Sequence, residues 1–326
     1  MNAEKVVNWL LTENGAAVRY LTLRWLFDKP GDAPEVRKAR KEAHQESPIA
    51  RILSAMEPEG CWVKPGPGYF PKYKSTVWAL ISLAQSGGSV EEDPRIAKAV
   101  DYYLDQAQLK DGSFSGNASK EDAMDCLVGN MCWSLKTLGC TDPRLERAYK
   151  WMAVSQTELG YARVVPAKSV KTGPCWSCWV NYGDPCAWGA VKTMMAFAQL
   201  SKAERTPAIQ GAIKLGAELL LSIDPTTADY PSGTNKVSPL WFKLVHPSFY
   251  SADLLQITEA LVGCGYAKDE RLNSLKDWLI GKRRPDGTWP LERSDRSRMW
   301  VSFGPTGKPN PWITLRALRV LRRLED

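Results

Sequence analysis

The sequence predicts an all-α fold, an α/α toroid of about five to six helical hairpins with alternating outer and inner helices. Three observations carry that expectation. Polar N-cap residues recur along the chain, a Gly-plus-aromatic loop recurs with them, and each loop is followed by a segment apolar nearly all round. A helix apolar on every face belongs inside a protein, whereas an amphipathic one covers its outside.

In chain order, Val6–Leu11, Ala16–Phe27 and Pro34–His44 come first and are read as helices that complete the ring. Residues 1–50 therefore belong with the rest, and 1–326 is read as a single domain without a linker. Asp93-Pro94-Arg95, Asp142-Pro143-Arg144, Thr206-Pro207-Ala208 and Asp269-Glu270-Arg271 each open an amphipathic segment, at intervals of 49, 64 and 63 residues. A capping side chain followed by proline suits a helix start, because proline lacks only an N–H that has no partner there. The loops are Glu59-Gly-Cys-Trp62, Lys110-Asp-Gly-Ser-Phe114, Glu158-Leu-Gly-Tyr161 and Pro285-Asp-Gly-Thr-Trp289. The expected inner helices are Ser75–Gln85, Cys126–Leu138, Cys186–Leu200, Ala252–Val262 and Trp312–Leu324. Only the last is rich in arginine, which fits an end position.

Composition narrows the function classes. The chain has 326 residues, 24% charged and 44% apolar, which is ordinary for a folded domain. No apolar run reaches the roughly 18 residues of a membrane-spanning helix. Met1 to Glu13 lacks the basic start and cleavage site of a signal peptide, so a cytoplasmic location is expected. The net charge of +7 is concentrated towards the C-terminus without the dense aromatic-interleaved stripe of a nucleic-acid module, so no nucleic-acid partner is expected. Eight cysteines in so long a chain are not a disulfide framework. His44 sits among Lys41, Glu42 and Gln45 on a helix read as solvated, and no role is assigned to it.

The Gln-x-x-Asp-Gly-Ser-Phe loop from Gln108, with its counterparts at Gly60, Gly160 and Gly287, resembles the repeats of squalene and terpenoid cyclases and protein prenyltransferase β subunits. Through Pro71-Lys-Tyr-Lys-Ser-Thr76, Cys126-Leu-Val-Gly-Asn-Met131 and Trp312-Ile-Thr-Leu-Arg-Ala-Leu318 it is also similar to small stand-alone bacterial members of that superfamily. The resemblance implies the toroid; it carries no particular reaction. No Asp-x-Asp-Asp run and no class I magnesium motif is present. Gly263-Cys-Gly-Tyr266 resembles the start of the thioester loop of complement-type toroids but lacks its Glu-Gln.

In such a ring the inner-helix N-termini converge on one end of a central cavity. Helix N-termini favour anions and carboxylates. Asp125 and Asp253 there suit proton transfer or simple capping, and are the expected catalytic pair. Lys74, Trp78, Trp188, Tyr250 and Trp312 are expected to contact substrate. Cys126, Cys178 and Cys186 with Asp184 and His246 fit a tetrahedral zinc site, ordinary buried thiols, or a nucleophile. Asp184-x-Cys186 followed by His246 also resembles the zinc triad of protein prenyltransferases, although Pro247 after His246 departs from that pattern. Cys132, Cys140 and Cys264 read as plain packing.

The expected function is an enzyme resembling terpenoid cyclases and prenyltransferases. It would act on an isoprenoid-like or other hydrophobic small molecule in an aromatic-lined cavity with zinc at its mouth. Protein prenyl transfer needs a partner of helical repeats, and no obligate partner subunit is expected. The alternatives are a non-catalytic scaffold whose cavity is filled with tryptophan and methionine, and a toroid acting on saccharides.

Overall fold

A computed structural model of the chain describes residues 3–117, 123–157, 172–295 and 298–325. Among these the chain forms thirteen α-helices. The first four are α1 (Ala3–Thr12), α2 (Gly15–Trp25), α3 (Pro34–Gln45) and α4 (Ile49–Leu53). Then inner and outer helices alternate: α5 (Thr76–Gln85), α6 (Pro94–Ala107), α7 (Asp125–Thr137), α8 (Pro143–Gln156), α9 (Ala187–Phe197), α10 (Pro207–Leu220), α11 (Leu254–Cys264), α12 (Asn273–Gly281) and α13 (Pro311–Glu325). Among the described residues the only strand pair is Thr172–Gly173 against Ser177–Cys178. The expected loop at Glu158 to Tyr161 lies outside the described residues. Among the described residues no helix is long and apolar enough to cross a membrane.

The sequence pattern explains the two rings. Every residue of α5 from Thr76 to Ala84 is buried, whereas α6 buries Ile96, Ala99, Val100, Tyr103, Leu104 and Ala107 along one face. Asp93, Asp142 and Thr206 cap the outer helices as expected, accepting from the backbone N–H of Arg95, Arg144 and Ile209. Asp269 differs. It caps a single 3₁₀ turn, Glu270–Leu272, and α12 begins only after it. The proline that pre-sets the first helical turn of the other copies is missing there.

Two of the Gly-plus-aromatic loops join an outer helix to the next inner one through the same pair of hydrogen bonds. The Trp62 backbone N–H donates to Thr76 Oγ1 on α5 at 3.2 Å, and its indole Nε1 donates to the Ile52 carbonyl on α4 at 2.8 Å. Trp289 does the same at the other end of the chain, with Thr314 on α13 at 3.0 Å and Leu279 on α12 at 2.7 Å. Both indoles are fully buried.

Each inner helix packs on the next, and the ring closes through α2. The α13 guanidinium of Arg319 lies 4.4 Å from the Trp25 ring centre, and Arg322 bonds the Leu26 carbonyl and Asp28. On its other side α2 meets Gly87, just past α5, where an added Cβ would lie 2.8 Å from the Tyr20 ring. The arginines of the last helix thus tie the end of the chain to its beginning. His44 corrects the sequence reading: it is buried, with Nδ1 donating to the Arg40 carbonyl and Nε2 accepting from the Ser89 N–H at 3.0 Å. The bond within α3 sets the ring, and the bond from Ser89 ties α3 to the turn before α6.

Candidate functional site

The N-termini of the inner helices do converge, but on a packed aromatic cluster. The Trp78 ring centre lies 5.1 Å from Tyr69, 5.4 Å from Tyr73 and 5.3 Å from Phe249. Trp188 continues the cluster, 5.8 Å from Trp241 and 6.5 Å from Tyr250. Lys72 and Arg298 lie against its rings, and Lys74 lies against Trp300. Lys72 Nζ stands 4.5 Å from the Tyr250 ring centre, Lys74 5.5 Å from Trp300 and Arg298 5.6 Å from Tyr73. Trp78, at 1% exposure, therefore packs the interior and does not face an open cavity; Trp188, Tyr250 and Lys74 belong to the same plug. Rings brought together at three helix starts gain about 0.5–1.5 kcal/mol per pair beyond their buried area, which favours closing the mouth.

The open space lies at the other end of the ring. A cavity of about 180 Å³ is lined by Gln85, Trp133, Met195, Val262 and Arg319 from the C-terminal halves of the inner helices, and by Trp25 at the end of α2. Its wall also carries Lys192, His246, Gln256, Glu259, Trp312 and Arg316. Of the residues expected from the sequence to form a site, Trp312 and His246 reach this space.

Lys192 is the titratable group of this wall that the sequence reading missed. It is 1% exposed, and its Nζ donates to Gln256 Oε1 at 2.6 Å. Burial pulls its pKa down to about 7, with Asp253 opposing. A neutral amine at physiological pH is a nucleophile and a base. Arg316 beside it is also buried, but is neutralised by two bonds to Glu259, at 3.0 and 2.6 Å, and bonds the Val245 carbonyl at 3.1 Å.

The expected catalytic carboxylates have other work. Asp253 is fully buried and caps α11, with Oδ1 accepting from the Gln256 N–H at 2.9 Å and Oδ2 from the Val245 N–H at 3.1 Å. Burial raises its pKa. By fixing the first turn of α11, Asp253 places the Gln256 side chain that holds Lys192. Asp125 accepts from Gln156 Nε2 at 2.7 Å.

The expected zinc set is drawn apart. His246 lies between Phe303 and Trp312, stacked on the Trp312 ring at 4.9 Å. Asp184 is exposed in the turn that follows Cys178. The three thiols are neighbours: the Cys186 thiol bonds Cys178, which lowers the Cys178 pKa, and Cys126 feels the charge of Cys178. Burial pushes the Cys126 thiol up to about 12. Among the described residues no group of three or more His, Cys, Asp or Glu side chains is arranged to hold a metal ion. Cys132, Cys140 and Cys264 are buried, as expected.

No protein-family profile and no curated protein matches the chain. Among solved structures, it is similar to Salmonella α-2-macroglobulin reacted with methylamine, at 12% identity and a TM-score of 0.35 over 85% of this chain. The chain spans 16% of that protein's length. A protein from Actinoplanes matches at 12% identity and a TM-score of 0.33, over 89% of this chain and 99% of that one. The type II terpene cyclase MstE from Scytonema matches at 14% identity and a TM-score of 0.29, over 88% and 97%.

A lysine whose folded pKa lies below its unfolded value destabilises the fold wherever the unfolded chain binds the extra proton. That penalty is absent above the ordinary lysine pKa of about 10.4 and grows as pH falls towards the folded value. Lys192→Met removes it. Relative to wild type, the variant is expected to gain in melting temperature as pH is lowered from 10 to about 7. A constant difference across that range would contradict the assignment.

Proposed function

We propose that the protein is an enzyme that acts on a small molecule with an apolar body, held in the cavity at the C-terminal halves of the inner helices. Its reacting group is the Lys192 amine. One observation carries the reading: a buried lysine, bonded by an amide and not by a carboxylate, in the wall of a cavity. An ion-paired lysine would stay protonated; this one holds its lone pair available near neutrality. Trp25, Trp133 and Trp312 supply apolar rings in the same wall.

The repeat loops resemble those of terpenoid cyclases, and an isoprenoid-like body is the substrate class that likeness brings. Size limits it. A cavity of about 150 Å³ takes benzene, so about 180 Å³ suits a body of roughly six to ten heavy atoms and not a long polyprenyl chain. A scaffold role is supported at the other end of the ring, where aromatics fill the mouth, but not in this cavity.

The test is benzaldehyde with borohydride at pH 7, followed by peptide mapping. The benzyl adduct is expected predominantly on Lys192, because surface lysines are protonated at that pH. Adducts spread over the surface lysines, with none at Lys192, would sink the proposal.

Zinc at the cysteine end is a second reading, favoured by the proximity of the Cys126, Cys178 and Cys186 thiols. Elemental analysis tests it. About one zinc per chain, lost when all three are alanine, supports it; freshly reduced protein free of zinc removes it.

A further inference from the structure

We infer that the ligand of this cavity is an organic anion, an oxyanion carried on a short apolar body, bound by Arg319 and Trp133 with His246 on its polar flank. The inference rests on the cavity being the ligand site and adds the chemical class of what enters it.

The first observation is charge. Three guanidinium cations, Arg316, Arg319 and Arg323, line the cavity beside the Lys192 amine, against one carboxylate, Glu259. That carboxylate is spent on Arg316. Among the described residues Arg319 has no ion pair; its guanidinium lies against the Trp25 ring, and both line the cavity. Burial and then the neighbouring Arg323 pull its pKa down to about 10, so it keeps its charge at neutral pH.

Helix C-termini favour cations by themselves, which would account for arginines at this end. It does not account for the second observation. His246 is 1% exposed, lines the cavity, and neither of its ring nitrogens has a partner among the described residues. The indole N–H of Trp133, in the same wall, is likewise buried and without a partner. Buried polar atoms in folded proteins are nearly always bonded, and orphans in the wall of one space call for a partner within it. Burial, and then Arg316, hold the His246 pKa well below its ordinary value, so the ring is neutral and offers one donor and one acceptor. Trp133 only donates, and Arg319 only donates. Donors therefore outnumber acceptors among the free groups, which is the signature of a site for an acceptor-rich anion.

Titration calorimetry with benzoate, phenyl phosphate, inorganic phosphate and benzyl alcohol tests the inference. Benzoate or phenyl phosphate is expected to bind roughly tenfold or more tightly than benzyl alcohol. Which of the two binds identifies the oxyanion. Arg319→Gln is expected to remove that preference while benzyl alcohol binding is kept, and Arg319→Lys to restore part of it. Equal binding of benzoate and benzyl alcohol, binding of inorganic phosphate alone, or no effect of Arg319→Gln in a variant with a wild-type circular dichroism spectrum would overturn it. If benzoate fails while benzaldehyde still traps Lys192, the anion assignment alone falls; if both fail, the cavity is not the ligand site.

Discussion

Two basic side chains, Lys192 and Arg316, sit inside the inner ring away from bulk water, and the interior is arranged around keeping them there. An unpaired buried charge costs several kcal/mol, so each must be bonded, neutralised or deprotonated. Arg316 is neutralised by Glu259, and that pair fastens α13 to α11. Lys192 takes the other route: burial lowers its pKa, and an N–H of its amine donates to the Gln256 amide on the same helix α11. The close approach of α7 fixes its backbone: an added Cβ on Gly129 would lie 2.5 Å from the Lys192 carbonyl carbon, a gap only glycine allows. Four inner helices thus meet through these few groups.

The two ends of the ring divide the remaining work. At the N-terminal end, aromatic rings close the mouth and lysine and arginine side chains lie across them. At the C-terminal end the wall is mixed, with tryptophans beside charged and amide side chains, and space is left. The low pKa of Lys192 depends on its burial, and water reaching the amine would restore its charge.

The rings were legible because caps and periodicity are local. Asp93, Asp142 and Thr206 open helices through bonds to residues two or three positions away, and Trp62 and Trp289 repeat one bonding pattern. Which end of the ring is open was not legible. Periodicity shows that Trp78 and Trp188 face inward but not that they meet Phe249 and Trp241 once there. Lys192 stood in a segment that reads as apolar all round; a lone lysine in a helix with no solvent face was the signal available. His246 was marked as unusual from the sequence, yet its partners, Phe303 and Trp312, lie more than fifty residues further along. The carboxylates Asp125 and Asp253 look alike as helix starts, and only the fold shows that one caps α11 and the other binds Gln156.

The central claim is that one lysine in the inner ring is neutral near physiological pH. Its most direct test is a pH titration of the side-chain Cε and Nζ resonances in protein labelled with ¹³C,¹⁵N-lysine, with Lys192→Met to assign the signal. The account predicts one lysine with a midpoint near 7, absent from the variant, while the others titrate near their ordinary value of about 10.4. Every lysine titrating near that ordinary value would contradict it.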